Sequence, residues 1–226
     1  EIQRLVAPVQ LQKIVIGVCT YQRPKMLLQC LKGIGNLIVP LNAEVICLVV
    51  NNHSEALDSQ ITDSYTCDSV NSEIEFIFKH CQKRGIPVAR NLILDWSDEN
   101  EADYCLFLDD DEYPAENWLI ETLKTQKETL AEVVQGNVVN EFESKKPWLL
   151  DPLIDDQKFN YLDASIIRMI STCNVLIAKD VYSSSQYGMR FDNRLALTGG
   201  SDKEFFLRAQ KQHDIKCVFY AASIVT

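Results

Sequence analysis

Positive charge is what this chain lacks most. Of its 226 residues, 22 are Lys or Arg against 32 Asp or Glu, a formal net charge of -10. Nucleic-acid binders hold phosphate backbones through an excess of Lys and Arg, so no nucleic-acid partner is expected. A single nucleotide remains within reach if a metal and a few local cations neutralise it. Long apolar runs are missing too: none approaches the ~20 residues that span a bilayer, which implies a soluble chain with no transmembrane segment. No secretory pattern opens the sequence, which starts at Glu1. Its strand-like end at 222–226 stops abruptly, so the expectation is a natural chain truncated here at its C-terminus. None of the eight cysteines forms a Cys-x-x-Cys pair, and most sit in apolar runs, where a free thiol behaves as a small hydrophobe. That spacing argues against a zinc site or disulfide framework and for reduced thiols in a cytoplasmic protein. His53, His80 and His213 are scattered and make no ligand set. Neither an internal repeat nor a low-complexity linker is present, so residues 1–226 read as a single domain.

Apolar residues make up 46% of the chain, enough for a core of that size. Strand-like runs at 14–19, 44–50, 74–78 and 104–108 alternate with helix-like stretches at 24–36 and 87–96. A further helix opens at Pro114, with Leu119, Leu123 and Leu130 on one face, because proline suits a first helical turn. Residues 54–72 read as a polar connection. Beyond these come strands at 132–140, 173–178 and 215–220, a helix at 202–212, and an aperiodic stretch at 141–170. Four β-then-α units in series predict an α/β fold with a mostly parallel central sheet and helices on both faces. Ligands bind such sheets at the carboxyl ends of the strands. The segments after the first four strands therefore converge: Thr20-Tyr21-Gln22-Arg23, Asn51-Asn52-His53-Ser54, 79–86, and Asp109-Asp110-Asp111-Glu112.

That last run places four carboxylates on the end of an apolar strand, which is either a solvated turn or a site built around a cation. Strand alternation puts Asp109 and Asp111 on one side, with Asp110 turned from them and Glu112 left to the surface. Carboxylates without imidazole or thiolate suit Mg2+ or Mn2+, commonly held between acidic side chains and phosphates. Lys83, Arg84 and Arg90 surround Gly85 at a helix start, which is either a diphosphate site or a basic loop. Asn51 and Asn52 either read a base edge or form a turn. Tyr21 and Arg23 offer a stacking ring and a phosphate cation, or are surface residues. In Gly199-Gly200-Ser201-Asp202-Lys203-Glu204, Asp202 is either a general base or part of a helix start in which Ser201 and Glu204 form a capping box.

Taken in order, these segments resemble the family 2 glycosyltransferases, inverting enzymes of the GT-A fold. Ile16-Gly17-Val18-Cys19-Thr20-Tyr21-Gln22-Arg23-Pro24 is similar to the family's opening strand and turn. Val49-Val50-Asn51-Asn52-His53-Ser54 resembles its V-V-D-N-x-S segment, and Gly85 with Ala89-Arg90-Asn91 its G-x-x-x-A-R-N helix start. Phe107-Leu108-Asp109-Asp110-Asp111 resembles its D-x-D motif. The distal part, from Ser171-Thr172-Cys173-Asn174 to Gly199-Gly200-Ser201-Asp202, looks like bacterial members that build surface polysaccharide or lipopolysaccharide.

The resemblance implies a nucleotide-diphospho-sugar donor, a UDP-sugar above all, and a divalent metal, Mn2+ or Mg2+, held by Asp109 and Asp111. Thr20, Tyr21, Arg23, Asn51, Arg90, Asp109 and Asp110 would line the nucleotide, and Asp202 would deprotonate a saccharide or lipid-linked saccharide acceptor. Trp148, Thr172, Asn174, Gly200 and Glu204 would shape the acceptor side. Residues 12–135 would then form a nucleotide-sugar-binding half and 136–226 an acceptor half, with peripheral association at the inner membrane face. Two positions depart from the pattern. Asn51 stands where the family has the Asp that accepts the uracil N3–H, and Ser201 replaces the Glu of G-G-E-D, leaving Glu204 as a stand-in. A sugar-1-phosphate nucleotidyltransferase would carry a glycine-rich loop after the first strand, which is absent. A nucleotide-sugar-binding module without transfer activity is the other alternative.

Overall fold

The computed structural model describes residues 11–66, 73–141 and 161–226. Strands β1 (Gln12–Thr20), β2 (Ala43–Asn51), β3 (Ile74–His80) and β4 (Tyr104–Asp109) alternate with helices α1 (Pro24–Gly35), α2 (Ser59–Thr66) and α3 (Ile86–Glu99). After α4 (Trp118–Thr129) come β5 (Val133–Val138), β6 (Val175–Ala178), the short α5 (Lys179–Tyr182), α6 (Ser201–His213) and β7 (Cys217–Val225). The seven strands form one sheet in the order β3-β2-β1-β4-β6-β5-β7. All pairings are parallel except the two made by β6, which runs against β4 and β5.

A strand covered on both faces has no need of polar alternation, and β2 is accordingly an apolar run buried from Val45 to Asn51. On one face Ile14, Ile16, Val18, Cys47 and Leu106 meet Leu27, Leu31 and Ile34 of α1 and Trp118 and Leu119 of α4. On the other, Val15, Leu48, Val50 and Phe107 meet Ala89, Ile93 and Leu94 of α3 and Phe205 and Phe206 of α6. The period-2 exchange of neighbouring residues between two cores is what sandwiches the sheet between helix layers.

Several sequence expectations need correction. The polar stretch at 54–72 carries α2, whose Ile61 and Tyr65 join the first core. Pro114 does not open a helix: it bridges Val225 of β7, and α4 begins four residues later at Trp118. Leu130 is the left-handed C-terminal cap of α4 and is 76% exposed, so it leaves the apolar face. The aperiodic stretch falls largely outside the described residues. Its end, at 161–170, lies along edge strand β7, with Ala164 N–H donating to the Phe219 carbonyl and Ile167 N–H to that of Cys217. No helix among the described residues is long and apolar enough to cross a membrane.

Candidate active site

The carboxyl ends of β1, β2 and β4 and the start of α3 open onto a cleft of about 640 Å³. Thr20, Tyr21 and Arg23 border it from β1, Asn52 from β2, Arg84 and Gly85 from the α3 start, and Asp109, Asp110 and Asp111 from β4. Ala196 and Leu197 close it from the loop before α6. Gly85 is obligatory there: its φ is +136°, and a Cβ would lie 2.6 Å from that of Ala196.

The acidic run is a turn rather than a strand continuation. β4 ends at Asp109, so alternation stops there and all three aspartates border the cleft. Asp110 is 5% exposed and accepts a hydrogen bond from Thr20 Oγ1 at 2.7 Å. Burial pushes its carboxyl above the ordinary range, against the opposing pull of Thr20 and Arg23. Arg23 Nη1 lies 3.3 Å from Asp110 and 2.9 Å from Asp111. Asp109 and Asp111 keep their side chains 44% and 45% exposed, with the Arg90 guanidinium 4.0 Å from Asp109. Glu112 is not a surface residue: it is 6% exposed, and its carboxylate accepts the Asp109 N–H at 2.9 Å, pinning the turn.

Asp109, Glu112 and Cys173 also approach within 4.8 Å of one another. Cys173 adds a soft thiol and Glu112 already holds the turn, so that trio is a poor match for a hard ion. The half-exposed oxygens of Asp109 and Asp111 on the cleft fit Mg2+ or Mn2+ better.

Asn51 and Asn52 hold loops. Asn51 donates to the Glu55 carbonyl at 2.7 Å and accepts the His53 N–H at 3.0 Å, so both ends of its amide are used within its own turn. Asn52 donates to the Cys81 and Lys83 carbonyls at 3.2 and 2.8 Å and accepts the Gly85 N–H at 2.7 Å, fixing the β3–α3 connection. Tyr21, 38% exposed, meets His53 edge-on at 5.1 Å, and Arg84 lies 5.3 Å from its ring centroid. Asn52 and Arg84 border the cleft directly, and Arg90 approaches it through Asp109. Cys19 also borders the cleft, and burial pushes its thiol up to about 12, favouring the protonated form.

Past the loop that brings Ala196 and Leu197 to the cleft, α6 starts at Ser201 behind Gly200, which has left-handed backbone, and Asp202 is not among the residues bordering the cleft. Ser201 is the first helical residue and not a cap, so the expected capping box does not form. Its Oγ instead accepts from Arg90 Nη1 at 3.4 Å. Asp202 Oδ1 accepts the Lys203 N–H at 2.9 Å and Oδ2 accepts from Ser171 Oγ at 3.3 Å. Glu204 turns to Arg208, Oε1 to Nε at 2.6 Å. Thr172 and Asn174 are 2% and 1% exposed. Asn174 accepts from Trp118 Nε1 at 2.6 Å and donates to the Asn137 and Ser223 carbonyls at 2.7 Å each. Its amide is saturated inside the sheet and has nothing left for a saccharide. Trp148 lies outside the described residues. Sequence reasoning takes Ser171 only as part of the distal segment and assigns Gln135 no role, although an amide inside the apolar run of β5 is a visible signal.

Residues 15–184 match the model described as "Glycosyl transferase family 2". The chain belongs to that family. It is 31% identical over 193 residues to the succinoglycan biosynthesis protein ExoM of Rhizobium meliloti (strain 1021), covering 85% of this chain and 60% of that protein. Among solved structures it is similar in fold to S. aureus TarS, with a TM-score of 0.69 at 16% identity over 93% of this chain and 35% of that one. A structure of TarS 1-349 in complex with UDP-GlcNAc gives 0.68 at 16% identity, covering 93% of this chain and 56% of that one. The family and the fold agree with the expected GT-A architecture.

Proposed function

We propose that this chain is an inverting glycosyltransferase that moves a sugar from a UDP-sugar to a saccharide hydroxyl during cell-surface polysaccharide or lipopolysaccharide synthesis. The observation that carries the reading is one cleft in which the acidic turn, two arginines and an aromatic ring meet at the carboxyl ends of the strands. Family membership supports transfer chemistry, the ExoM likeness supports polysaccharide as the product, and the TarS complex with UDP-GlcNAc supports the donor class. On this reading residues 12–135 bind the nucleotide sugar and 136–226 the acceptor, at the cytoplasmic face of the membrane.

Tyr21 and Arg84 would border the nucleotide, and Asp109 and Asp111 would hold the divalent ion. That ion, when bound, supplies positive charge to the diphosphate leaving group. Asp202 would take the proton from the acceptor hydroxyl as its oxygen attacks the anomeric carbon from the side opposite the diphosphate. The bond from that carbon to the diphosphate oxygen breaks, and its electron pair leaves with UDP. An α-linked donor then gives a β-linked product.

The test is UDP release from UDP-glucose, UDP-galactose and UDP-GlcNAc with Mn2+ or Mg2+, with and without saccharide acceptors. Release should stop on chelation. Asp202→Asn should lower transfer about 1,000-fold with UDP affinity nearly unchanged, the scale of a lost general base. No release from any donor, with UDP still bound, would leave the binding-module reading in its place.

A further inference from the structure

A general base works only if its carboxylate points at the proton it removes, and the loop before α6 does little to aim Asp202. Among the described residues, no atom lies within 4 Å of where a Cβ would stand on Gly199 or Gly200, which precede the helix, and no side chain caps it. The restraint comes from another element. Gln135 of β5 is fully buried, and its Nε2 donates to the Cys173 and Asn174 carbonyls at 2.6 and 2.9 Å. Its Oε1 accepts the Ser171 N–H at 2.8 Å. The chain entering β6 is thereby fixed, and Ser171 presents its hydroxyl to Asp202 Oδ2 at 3.3 Å.

We propose that Ser171, held by Gln135, is the positioning residue for Asp202, an inference that rests on the transferase reading above. One carboxylate oxygen is held by the Lys203 N–H at 2.9 Å and the other by a hydroxyl from a separate element. Rotation of the carboxylate would break both contacts. Each oxygen retains a second lone pair, so Oδ2 can still receive a proton while Ser171 donates to it. The sheet interior thus sets the direction of a base that sits on a helix behind two glycines.

The test compares Ser171→Ala, Ser171→Thr and Asp202→Asn in the full chain, using whichever of UDP-glucose, UDP-galactose and UDP-GlcNAc the unaltered protein turns over. Ser171→Ala should lower kcat about ten-fold, the scale of a lost hydrogen bond to a charged group. The KM for donor, the UDP affinity by calorimetry and the Tm should not move. Ser171→Thr keeps the hydroxyl and should restore kcat to within about two-fold, which a purely structural role does not explain. Unchanged kcat in Ser171→Ala beside an inactive Asp202→Asn overturns the role of Ser171 and leaves the base in place. Parallel losses of Tm and UDP affinity without rescue by threonine overturn it as well. Full activity in Asp202→Asn removes the base itself, and no turnover of any donor removes the transferase reading and this inference together.

Discussion

Asn51 and Asn52, at the end of β2, are 3% and 7% exposed, and Asn174, at the entry to β6, is 1% exposed. The three amides are equally hidden but hold different things. The first two tie loops whose neighbours face the open cleft, Asn51 within 51–55 and Asn52 across to 81–85. Asn174 ties secondary structure to secondary structure, joining Trp118 of α4, Asn137 of β5 and Ser223 of β7. In the parallel half, polar burial shapes the wall of the cleft. In the β5–β6–β7 half, it replaces the sheet regularity lost where β6 reverses direction and the β5–β7 register shifts between Gly136 and Asn137. Damage in the first half should therefore show in ligand affinity, and damage in the second should show in stability.

The largest effect is expected at Gly136. A Cβ there would lie 2.4 Å from Asn174 Nδ2, 2.5 Å from its Oδ1 and 2.5 Å from the Ser223 carbonyl oxygen, where the amide is held by three hydrogen bonds and the carbonyl belongs to the backbone. Gly136→Ala should destabilise the fold by about 3 kcal/mol, as overpacking does at its upper range. For a chain this long that is a fall in Tm of about 10 °C, readable by calorimetry. An unchanged Tm would break the contrast between the halves, because it would mean that the Asn174 junction is soft.

This contrast also explains what could be read in the sequence. The parallel half was legible because continuous apolar runs end abruptly in polar clusters, as in Val49-Val50-Asn51-Asn52 and Leu108-Asp109-Asp110-Asp111. Those endings mark both the strand and the ligand edge. Two details there were hidden. Alternation past Asp109 depended on where β4 stops, and the burial of Glu112 depended on its return to the Asp109 N–H. In the distal half, Asn174 resembles a ligand residue in sequence, but its role is set by Trp118, which lies 56 positions away. Ser201 looks like a cap by spacing, whereas its partner is Arg90, 111 positions away. Contacts of that separation leave no local period to read.

A middle-sized effect should appear at Asn52. Asn52→Ala removes the acceptor of the Gly85 N–H and the donor to the Cys81 and Lys83 carbonyls, freeing the connection that carries Arg84 to the cleft. Residues 82–84 are exposed and can take up water, whereas Cys81 and Gly85 are buried, so the stability cost should be about 1–2 kcal/mol. Affinity for UDP should fall about ten-fold, since the loop must then be ordered on binding. Titration calorimetry and a melting curve on the same sample decide it. A large loss of Tm with UDP affinity intact would move Asn52 into the class of Asn174.

The smallest effect is expected at Glu204, and it bears on whether the β5–β6–β7 half would add a second carboxylate to the proposed chemistry of Asp202. The sequence allowed Glu204 to stand in for the acid that Ser201 replaces. In the structure it is paired with Arg208 one turn along α6, Oε1 to Nε at 2.6 Å, while Arg208 Nη2 also holds the Arg190 carbonyl at 2.6 Å. The pair is partly solvated, with side chains 32% and 29% exposed for Glu204 and Arg208, so its worth is discounted to about 0.3–0.5 kcal/mol. Glu204→Gln keeps the shape and removes the charge. It should shift Tm by no more than about 2 °C and leave kcat within about two-fold, because Asp202 alone would handle the proton. A collapse of kcat to the level of Asp202→Asn would make Glu204 a partner in the chemistry, and the β5–β6–β7 half would then carry two functional carboxylates instead of one.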